Sequence, residues 1–146
     1  MSPKGGRHEA LKIALLDRWY RLRPDEVMIA PGTTFRLSED TYFEPDVVIF
    51  PREGGLASLS AENALLVVEI ADSSLRYDRG RKAKLYAGFG IRELWVIDAV
   101  GNTLRIHLSP AANGYGEVRN LSRSALAAPI FAPDVFALRL DALNLL

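Results

Sequence analysis

The spacing of apolar side chains predicts a helix near the start of the chain, and a second helix is predicted further along. In the first helix, apolar residues recur every three or four positions, which is the period of one helix face. These residues are Leu11, Leu15, Trp19 and Leu22. We therefore predict a helix over residues 7–22, which ends before Pro24 because proline disfavours helix at the residue preceding it. A second helix is predicted over residues 77–89, ended by Gly88 or Gly90, since glycine commonly follows the last helical residue.

Shorter runs of alternating or continuous apolar residues predict β-strands around these helices. The predicted strands cover residues 27–30, 33–37, 42–50, 65–71, 94–97 and 103–108. Pro45 interrupts the third of them and predicts a bulge or a sheet edge, because proline donates no hydrogen bond to a neighbouring strand. Residues 110–116 contain a proline and two glycines and are predicted to form a loop.

The order of these elements predicts an α/β fold. The strands at residues 65–71 and 94–97 flank the second helix, and such a unit joins two parallel strands through a right-handed crossover. The other strands follow one another closely, which is typical of antiparallel pairs. We expect a central mixed β-sheet flanked by helices, in a single domain over residues 1–146.

Composition excludes several classes of protein. The 146 residues carry 18 Lys and Arg against 18 Asp and Glu, and 49% of them are hydrophobic, so the chain is globular rather than disordered. The absence of cysteine excludes disulfides, thiolate zinc sites and a cysteine nucleophile. The longest apolar run, residues 64–68, is too short to cross a bilayer, and the N-terminus lacks the apolar core of a signal peptide, so a cytoplasmic protein is expected. Zero net charge argues against nucleic-acid binding through a whole-molecule field but leaves local basic patches open.

Two carboxylates in apolar segments are the most informative candidates for chemistry. Glu69 lies inside the apolar run at residues 65–71, and Asp46 opens the apolar stretch that ends at Phe50. A carboxylate in a buried strand is costly unless it is paired or binds a metal. Two of them on neighbouring strands could share Mg²⁺, which would activate a water and offset phosphate charge. The alternative is structural: Glu69 pairs with a basic residue of the following helix, and Asp46 caps its strand.

The helix after Glu69 is basic and carries a candidate partner for these acids. Asp78, Lys82 and Tyr86 are spaced four residues apart and share one face, from which Lys82 could point at Glu69 and Asp46. Tyr86 is expected to be a packing residue. The segment 76–84 holds five basic residues against one acid, a balance of +4, which is consistent with a phosphate-facing patch. An ordinary solvated helix face with an Asp78–Lys82 pair remains the alternative.

These residues resemble the pattern of one known family. The segments Glu44-Pro45-Asp46-Val47-Val48 and Leu66-Val67-Val68-Glu69-Ile70, followed by Asp78, Lys82, Tyr86 and Gly90-Ile91-x-Glu93-Leu94-Trp95-Val96-Ile97-Asp98, resemble the Uma2 family of the PD-(D/E)xK, restriction-endonuclease-like superfamily. The resemblance covers about residues 2–140. It implies a restriction-endonuclease-like mixed sheet and a Mg²⁺- or Mn²⁺-dependent endonuclease that hydrolyses phosphodiester bonds of DNA.

The resemblance also implies roles for individual residues. Asp46 and Glu69 would be metal ligands, together with the backbone carbonyl of Ile70. The superfamily usually places a lysine two residues after the glutamate, where this chain has Ala71, and Lys82 on the next helix would assist the attacking water instead. The remaining basic candidates are Lys84, which is the reserve for Lys82, and Arg79, which with Lys84 would bind phosphate.

Departures from the family pattern give further expectations. The match begins inside the family's N-terminal region, so the chain is expected to lack a preceding segment. Asp72-Ser73-Ser74 replaces the usual Ser-Pro-Ser and is expected to cap the second helix, and Asp98 is expected to end its strand in a turn. A catalytically inactive module that binds nucleic acid or protein and retains the fold is the alternative function.

Histidines and aromatic residues complete the set of candidates. His8 and Glu9 on the first helix are expected to be surface residues, although either could assist the site. His107 alternates with apolar neighbours and is expected to face solvent. A homodimer is a further possibility, formed through exposed aromatic residues such as Trp19, Tyr20 and Tyr115.

Overall fold

The computed structural model describes residues 5–71 and 75–143, with residues 75–79 described by their backbone alone. Its helices are α1 (Gly6–Leu22) and α2 (Leu75–Gly88). Its strands are β1 (Val27–Pro31), β2 (Phe35–Arg36), β3 (Tyr42–Phe43), β4 (Val47–Pro51), β5 (Leu66–Ala71), β6 (Glu93–Asp98), β7 (Thr103–Ala111) and β8 (Gly114–Leu121). Three short 3₁₀ helices lie at Leu56–Ser58, Asp134–Phe136 and Leu140–Ala142.

A six-stranded mixed sheet organises the molecule. Its strand order is β1-β4-β5-β6-β7-β8, and β2 and β3 form a separate two-stranded sheet. Within the large sheet β5 and β6 are parallel, and every other neighbouring pair is antiparallel. The predicted α/β class is confirmed, and so is the pairing of two parallel strands on either side of α2.

Side-chain alternation along the strands divides the core into two layers. On one face of the sheet, Leu15 and Trp19 of α1 pack with residues such as Val68 and Trp95. The other layer gathers α2 side chains such as Tyr86 together with Val67 and other strand residues. Glu69 lies between two β5 residues of the first layer, so its side chain points to the face covered by α2.

Trp19 is buried in the α1 layer, which corrects the expectation that it is exposed. Its side chain has no exposed area. It makes edge-to-face contacts with the rings of Trp95 and Phe136, and its indole N–H donates a hydrogen bond of 3.1 Å to the Phe136 carbonyl. The residue belongs to the same helical stripe as Leu11 and Leu15, and that stripe faces the sheet.

The chain breaks at Pro45 more completely than predicted. The expected strand at residues 42–50 is two strands in different sheets, since β3 pairs with β2 while β4 pairs with β1 and β5. Residues 44–46 connect the two strands without belonging to either. Asp46 therefore lies immediately before Val47, the first residue of β4.

The predicted loop at residues 110–116 is wrong. Strands β7 and β8 extend into this region and pair from Leu104–Leu121 to Ala111–Gly114, with a turn at residues 112 and 113. Gly114 has a φ of 138°, which glycine adopts without strain. Pro110 lies within β7 opposite Tyr115, and the turn is Ala112-Asn113 followed by Gly114, where asparagine and glycine are residue types that favour turns.

His107 is also placed differently from the expectation. It is buried on the face of the sheet covered by α2, where its Nδ1 lies 3.3 Å from the Leu94 carbonyl oxygen and its ring meets Tyr115 edge to face. Because side chains alternate along a strand, His107 and its neighbour Ile106 point to different faces of the sheet. The face with His107 is covered by α2 and is not open to solvent.

Neither helix in the described part of the chain combines the length and the apolar character needed to cross a bilayer.

Candidate active site

Asp46 and Glu69 lie on neighbouring segments at one end of the sheet. Strands β4 and β5 are antiparallel with Val47 opposite Val68, so the start of β4 lies beside the end of β5. Continuing this register by one residue brings Asp46 beside Glu69. Asp46 Oδ2 also accepts a hydrogen bond of 2.8 Å from the backbone N–H of Ile70, the residue that follows Glu69.

Asp46 is held on its other side by the first helix. Its side chain is 3% exposed, and its Oδ1 lies 2.9 Å from His8 Nε2 and 4.0 Å from Lys12 Nζ. His8 is itself buried, and its Nδ1 lies 3.2 Å from Glu9 Oε1. A buried carboxylate needs such partners because desolvation penalises its charge.

Glu69 contacts two side chains of α2 that lie one turn apart. Its Oε1 accepts a hydrogen bond of 2.7 Å from the Tyr86 hydroxyl, and its Oε2 lies 3.7 Å from Lys82 Nζ. The Glu69 side chain is 12% exposed and that of Lys82 is 42% exposed. The ammonium is therefore open to solvent on one side while it faces the carboxylate on the other.

The Tyr86 hydroxyl is a hydrogen-bond donor and not a base. Burial raises the pKa of Tyr86 far above its ordinary value, and the negative charges of Glu69 and Asp46 raise it further. The hydroxyl therefore stays protonated at neutral pH.

A small cavity of about 30 Å³ lies beside Glu69, between the sheet and α2. Its polar end is formed by Glu69 and Lys82, its sheet side by Ile70 and Ala71, and the remainder by Ala83, Leu94 and Val96. A space of this size holds a water molecule or a single ion, provided that it has polar partners.

The donor set suits a hard divalent cation. Asp46 and Glu69 supply two carboxylates, and each carboxylate has about four lone-pair sites. Mg²⁺ is commonly held by one or two carboxylates and keeps several waters. Within residues 5–71 and 75–143, no three or more His, Asp or Glu side chains cluster in a metal-binding arrangement, so the fit rests on this pair.

The other predicted residues are distributed around this centre. Lys84 does not line the Glu69 cavity and instead borders a groove between α2 and the β7–β8 hairpin, and its role as the reserve for Lys82 stays a prediction. Asp98 ends its strand as expected, because its Oδ1 accepts hydrogen bonds of 2.9 Å from the amides of Val100 and Gly101. The expected cap at residues 72–74 and the side chains of Asp78 and Arg79 lie outside the described residues.

Sequence reasoning underestimated two neighbours of the carboxylates. His8 was expected at the surface, but it lies three residues before Leu11 and so extends the buried stripe of α1 toward Asp46. Tyr86 does pack in the core, as expected, against Phe43, but it also binds Glu69. Helical spacing was the available signal in both cases.

Comparisons with known proteins found one family model and a solved structure of similar fold. The model of the Uma2 family, described as "Putative restriction endonuclease", matches residues 1–141. The crystal structure of "a putative nuclease belonging to DUF820" from Anabaena variabilis superposes with a TM-score of 0.61 at 16% identity, covering 92% of this chain and 76% of that one. No curated protein sequence matches the chain significantly.

Proposed function

This chain belongs to the Uma2 family, and we propose that it is an endonuclease that hydrolyses phosphodiester bonds of DNA with the help of Mg²⁺ or Mn²⁺. The observation that carries this proposal is the placement of Asp46 and Glu69 on neighbouring segments at one end of the sheet, with Asp46 bonded to the amide after Glu69 and the Lys82 ammonium 3.7 Å from Glu69.

Asp46 and Glu69 would hold the metal, with the carbonyl oxygen of Ile70 as a further ligand. The bound ion would supply Lewis-acid chemistry, lowering the pKa of a water and offsetting the phosphate charge. The protein holds both carboxylates in place before any ion arrives, since each already has a hydrogen bond to one oxygen. Such preorganisation spares the cost of ordering the ligands on binding.

Lys82 would act on the substrate side of the site. Its ammonium is within ion-pair distance of Glu69 and is partly open to solvent, so it can also reach a phosphate oxygen or the attacking water. A compact positive charge at that point stabilises the negative charge that develops during hydrolysis. The same contact would exist if Lys82 only neutralised Glu69, so an activity measurement has to separate the two roles.

Two further side chains would position the ligands. Tyr86 orients Glu69 through its hydroxyl, and His8 lies against Asp46. Groups that orient metal ligands are as much part of such a site as the ligands.

The proposal is tested by cleavage of supercoiled plasmid DNA in the presence of Mg²⁺, Mn²⁺ or EDTA. We expect cleavage by the wild-type protein with either metal and none with EDTA. Asp46→Asn and Glu69→Gln should abolish cleavage, because each removes a ligand charge while preserving shape. Asp25→Asn and Glu62→Gln are matched controls at exposed acids and should cleave normally. Circular dichroism should show that all four variants are folded.

Metal-dependent cleavage that persists in the Asp46→Asn, Glu69→Gln double variant would remove these residues from the mechanism. A wild-type protein that binds DNA but never cleaves it would instead support an inactive binding module that retains the nuclease fold.

A further inference from the structure

A groove of about 370 Å³ lies between α2 and the β7–β8 hairpin, outside the carboxylate site. Its α2 side is formed by Gly80, Ala83 and Lys84, and its hairpin side includes Arg105 and Asn113. The proposed chemistry does not use any of these residues.

The groove is lined by positive and neutral groups. Among the described residues that line it, Lys84 and Arg105 are cationic and none carries a carboxylate. This matters because the whole chain has zero net charge. The local excess of positive charge therefore arises because the fold brings Lys84 and Arg105 to the same groove. Such an excess attracts an anionic partner to this part of the surface.

The guanidinium of Arg105 is held in position. Its Nε donates a hydrogen bond of 2.6 Å to the Asn120 side-chain oxygen on the neighbouring strand. An ordered guanidinium presents its remaining N–H groups in a fixed fork, which matches the geometry of a phosphate. Ordering it in advance reduces the entropy lost on binding.

The shape of the groove would allow a bound chain to approach the protein backbone closely. His107 lies at the floor, where it is buried against Tyr115 and the Leu94 carbonyl. On the helix side, a Cβ atom added to Gly80 would meet no described atom within 4 Å. A chain of sugars and phosphates could therefore lie against the backbone of α2.

The groove adjoins the carboxylate site across a single helix. Ala83 lines both the groove and the cavity at Glu69. Of its two near neighbours, Lys82 reaches Glu69 while Lys84 borders the groove. A polyanion that spans α2 would thus contact both sides of the helix.

We propose that this groove binds the sugar-phosphate backbone of the nucleic acid beside the bond to be cleaved, with Arg105 and Lys84 contacting phosphates. The inference rests on the proposed nuclease function, since it deepens how the same site takes its substrate. It differs from that function in being a binding step that needs neither the metal nor the carboxylates.

The test is fluorescence anisotropy of a labelled DNA duplex titrated with protein in EDTA, at several salt concentrations. Arg105→Gln with Lys84→Gln should weaken binding roughly tenfold or more, and each lost phosphate contact should reduce the salt slope by about one. Arg105→Lys keeps the charge but loses the fork that Asn120 holds in place, so its affinity should lie between those of Arg105→Gln and the wild type.

Arg119→Gln is the matched control, because it removes the same charge from the same hairpin. Arg119 lies opposite Ile106, which belongs to the α1 side of the core, and pairs with Glu117, so it faces away from the groove. Its affinity should stay within about twofold of the wild type if contacts in the groove, and not the overall field, hold the DNA.

The outcomes separate this inference from the proposed function. Wild-type affinity and cleavage in the Arg105→Gln, Lys84→Gln variant would overturn the groove and leave the nuclease standing. An equal loss in Arg119→Gln would also overturn it. Asp46→Asn protein that binds DNA normally but does not cleave would support the groove as a separate binding surface. A wild type that neither binds nor cleaves DNA would overturn both.

Discussion

At the scale of single residues, Asp46 and Glu69 are the same chemical group in different surroundings. Asp46 is held by a backbone amide and by α1, whereas Glu69 is held by two side chains of α2. The two carboxylates therefore depend on different neighbours, and a substitution beside one leaves the other in place.

Replacing Tyr86 by Phe tests the support of Glu69. The variant keeps the buried ring but loses the 2.7 Å hydrogen bond to the carboxylate. We expect the free energy of unfolding to fall by about 1.5–3 kcal/mol, the range for a hydrogen bond to a charged group, and DNA cleavage to fall by roughly tenfold or more, as for groups that orient metal ligands. Urea unfolding and plasmid cleavage measure the two effects.

Tyr42→Phe is the control for that prediction, because Tyr42 is exposed and lies on β3. It should change stability by less than about 0.5 kcal/mol, as most surface substitutions do. An equal effect of the two variants would mean that the hydrogen bond to Glu69 contributes nothing specific.

Tyr115 predicts a loss of stability at alkaline pH. Burial raises the pKa of Tyr115 above its ordinary value of 10.0, and its hydroxyl donates to the Ile91 carbonyl. Above pH 10.0 the unfolded chain loses this proton while the folded protein keeps it. The unfolded state then binds fewer protons, so stability falls as pH rises, by at most about 1.4 kcal/mol per pH unit for this group.

The measurement is the urea midpoint as a function of pH for the wild type and for Tyr115→Phe. The variant should lose stability less steeply above pH 10.0, because it has no proton at this position to retain. Parallel curves for the two proteins would show that Tyr115 does not contribute to the alkaline transition.

Sequence patterns identified the carboxylates but not what surrounds them. Glu69 and Asp46 stand out because a charge in an apolar run has few explanations. The partners of Asp46, His8 and Lys12, come from α1 and lie 38 and 34 positions earlier in the chain, and no local pattern encodes that contact. Burial of His107 likewise depends on α2 covering its face of the sheet, which alternation along β7 does not reveal.

At the scale of elements, the predictions were most accurate for the two helices and for the two strands that flank the second helix. Both helices and the parallel β5–β6 pair follow directly from the sequence. The errors lie at two prolines. Pro45 separates two strands that were predicted as one, whereas Pro110 lies inside a strand that was predicted as a loop. Whether a proline ends a strand depends on which strand pairs with it, and pairing is a property of the whole sheet.

Glu93 connects β6 to the C-terminal segment through a buried carboxylate. Its Oε2 accepts a hydrogen bond from the Trp95 indole, and its Oε1 accepts from the amides of Ile130 and Phe131. Glu93→Gln removes the charge and keeps one acceptor, so we expect a loss of about 1–3 kcal/mol in the free energy of unfolding. Urea unfolding gives this value, and hydrogen exchange at Ile130 and Phe131 should become faster.

Glu117→Gln provides the comparison, because Glu117 is exposed on β8 and pairs only at the surface with Arg119. Surface pairs contribute at most about 1 kcal/mol. If Glu93→Gln were as mild as this control and left the exchange rates unchanged, Glu93 would not anchor the segment.

At the scale of the whole molecule, the fold separates acidic from basic side chains although their numbers are equal. The chain is neutral overall, yet Asp46 and Glu69 lie where β4 begins and β5 ends, while Lys84 and Arg105 border the groove beside α2. The fold class and the family follow from the sequence, whereas this separation of charges appears only when the strands are ordered. The proposed homodimer stays a prediction, and the burial of Trp19 removes one of the residues on which it was based.

Metal binding should be visible as a change in the melting temperature of the whole protein. A ligand that binds only the folded state stabilises it by about 2.7 kcal/mol at one hundred times its Kd, which for a chain of this size raises Tm by roughly 5 °C or more. We expect Mg²⁺ or Mn²⁺ to produce such a shift in calorimetry. Asp46→Asn and Glu69→Gln should lose it, and Asp25→Asn should keep it. An equal shift in all four proteins would point to non-specific ion effects.

The anchoring of Glu93 has a consequence for the order in which the chain is made. The amide of Ile130 lies 37 positions after this carboxylate, whereas Asp46, Glu69 and Lys82 all precede it. At 5–20 residues per second, a ribosome needs roughly 2–7 seconds to cover that distance. During this interval the nascent protein already contains every proposed catalytic side chain, but β6 lacks two of the donors that its buried acid requires. Chains stalled in this window should therefore be more sensitive to proteases than chains released after completion.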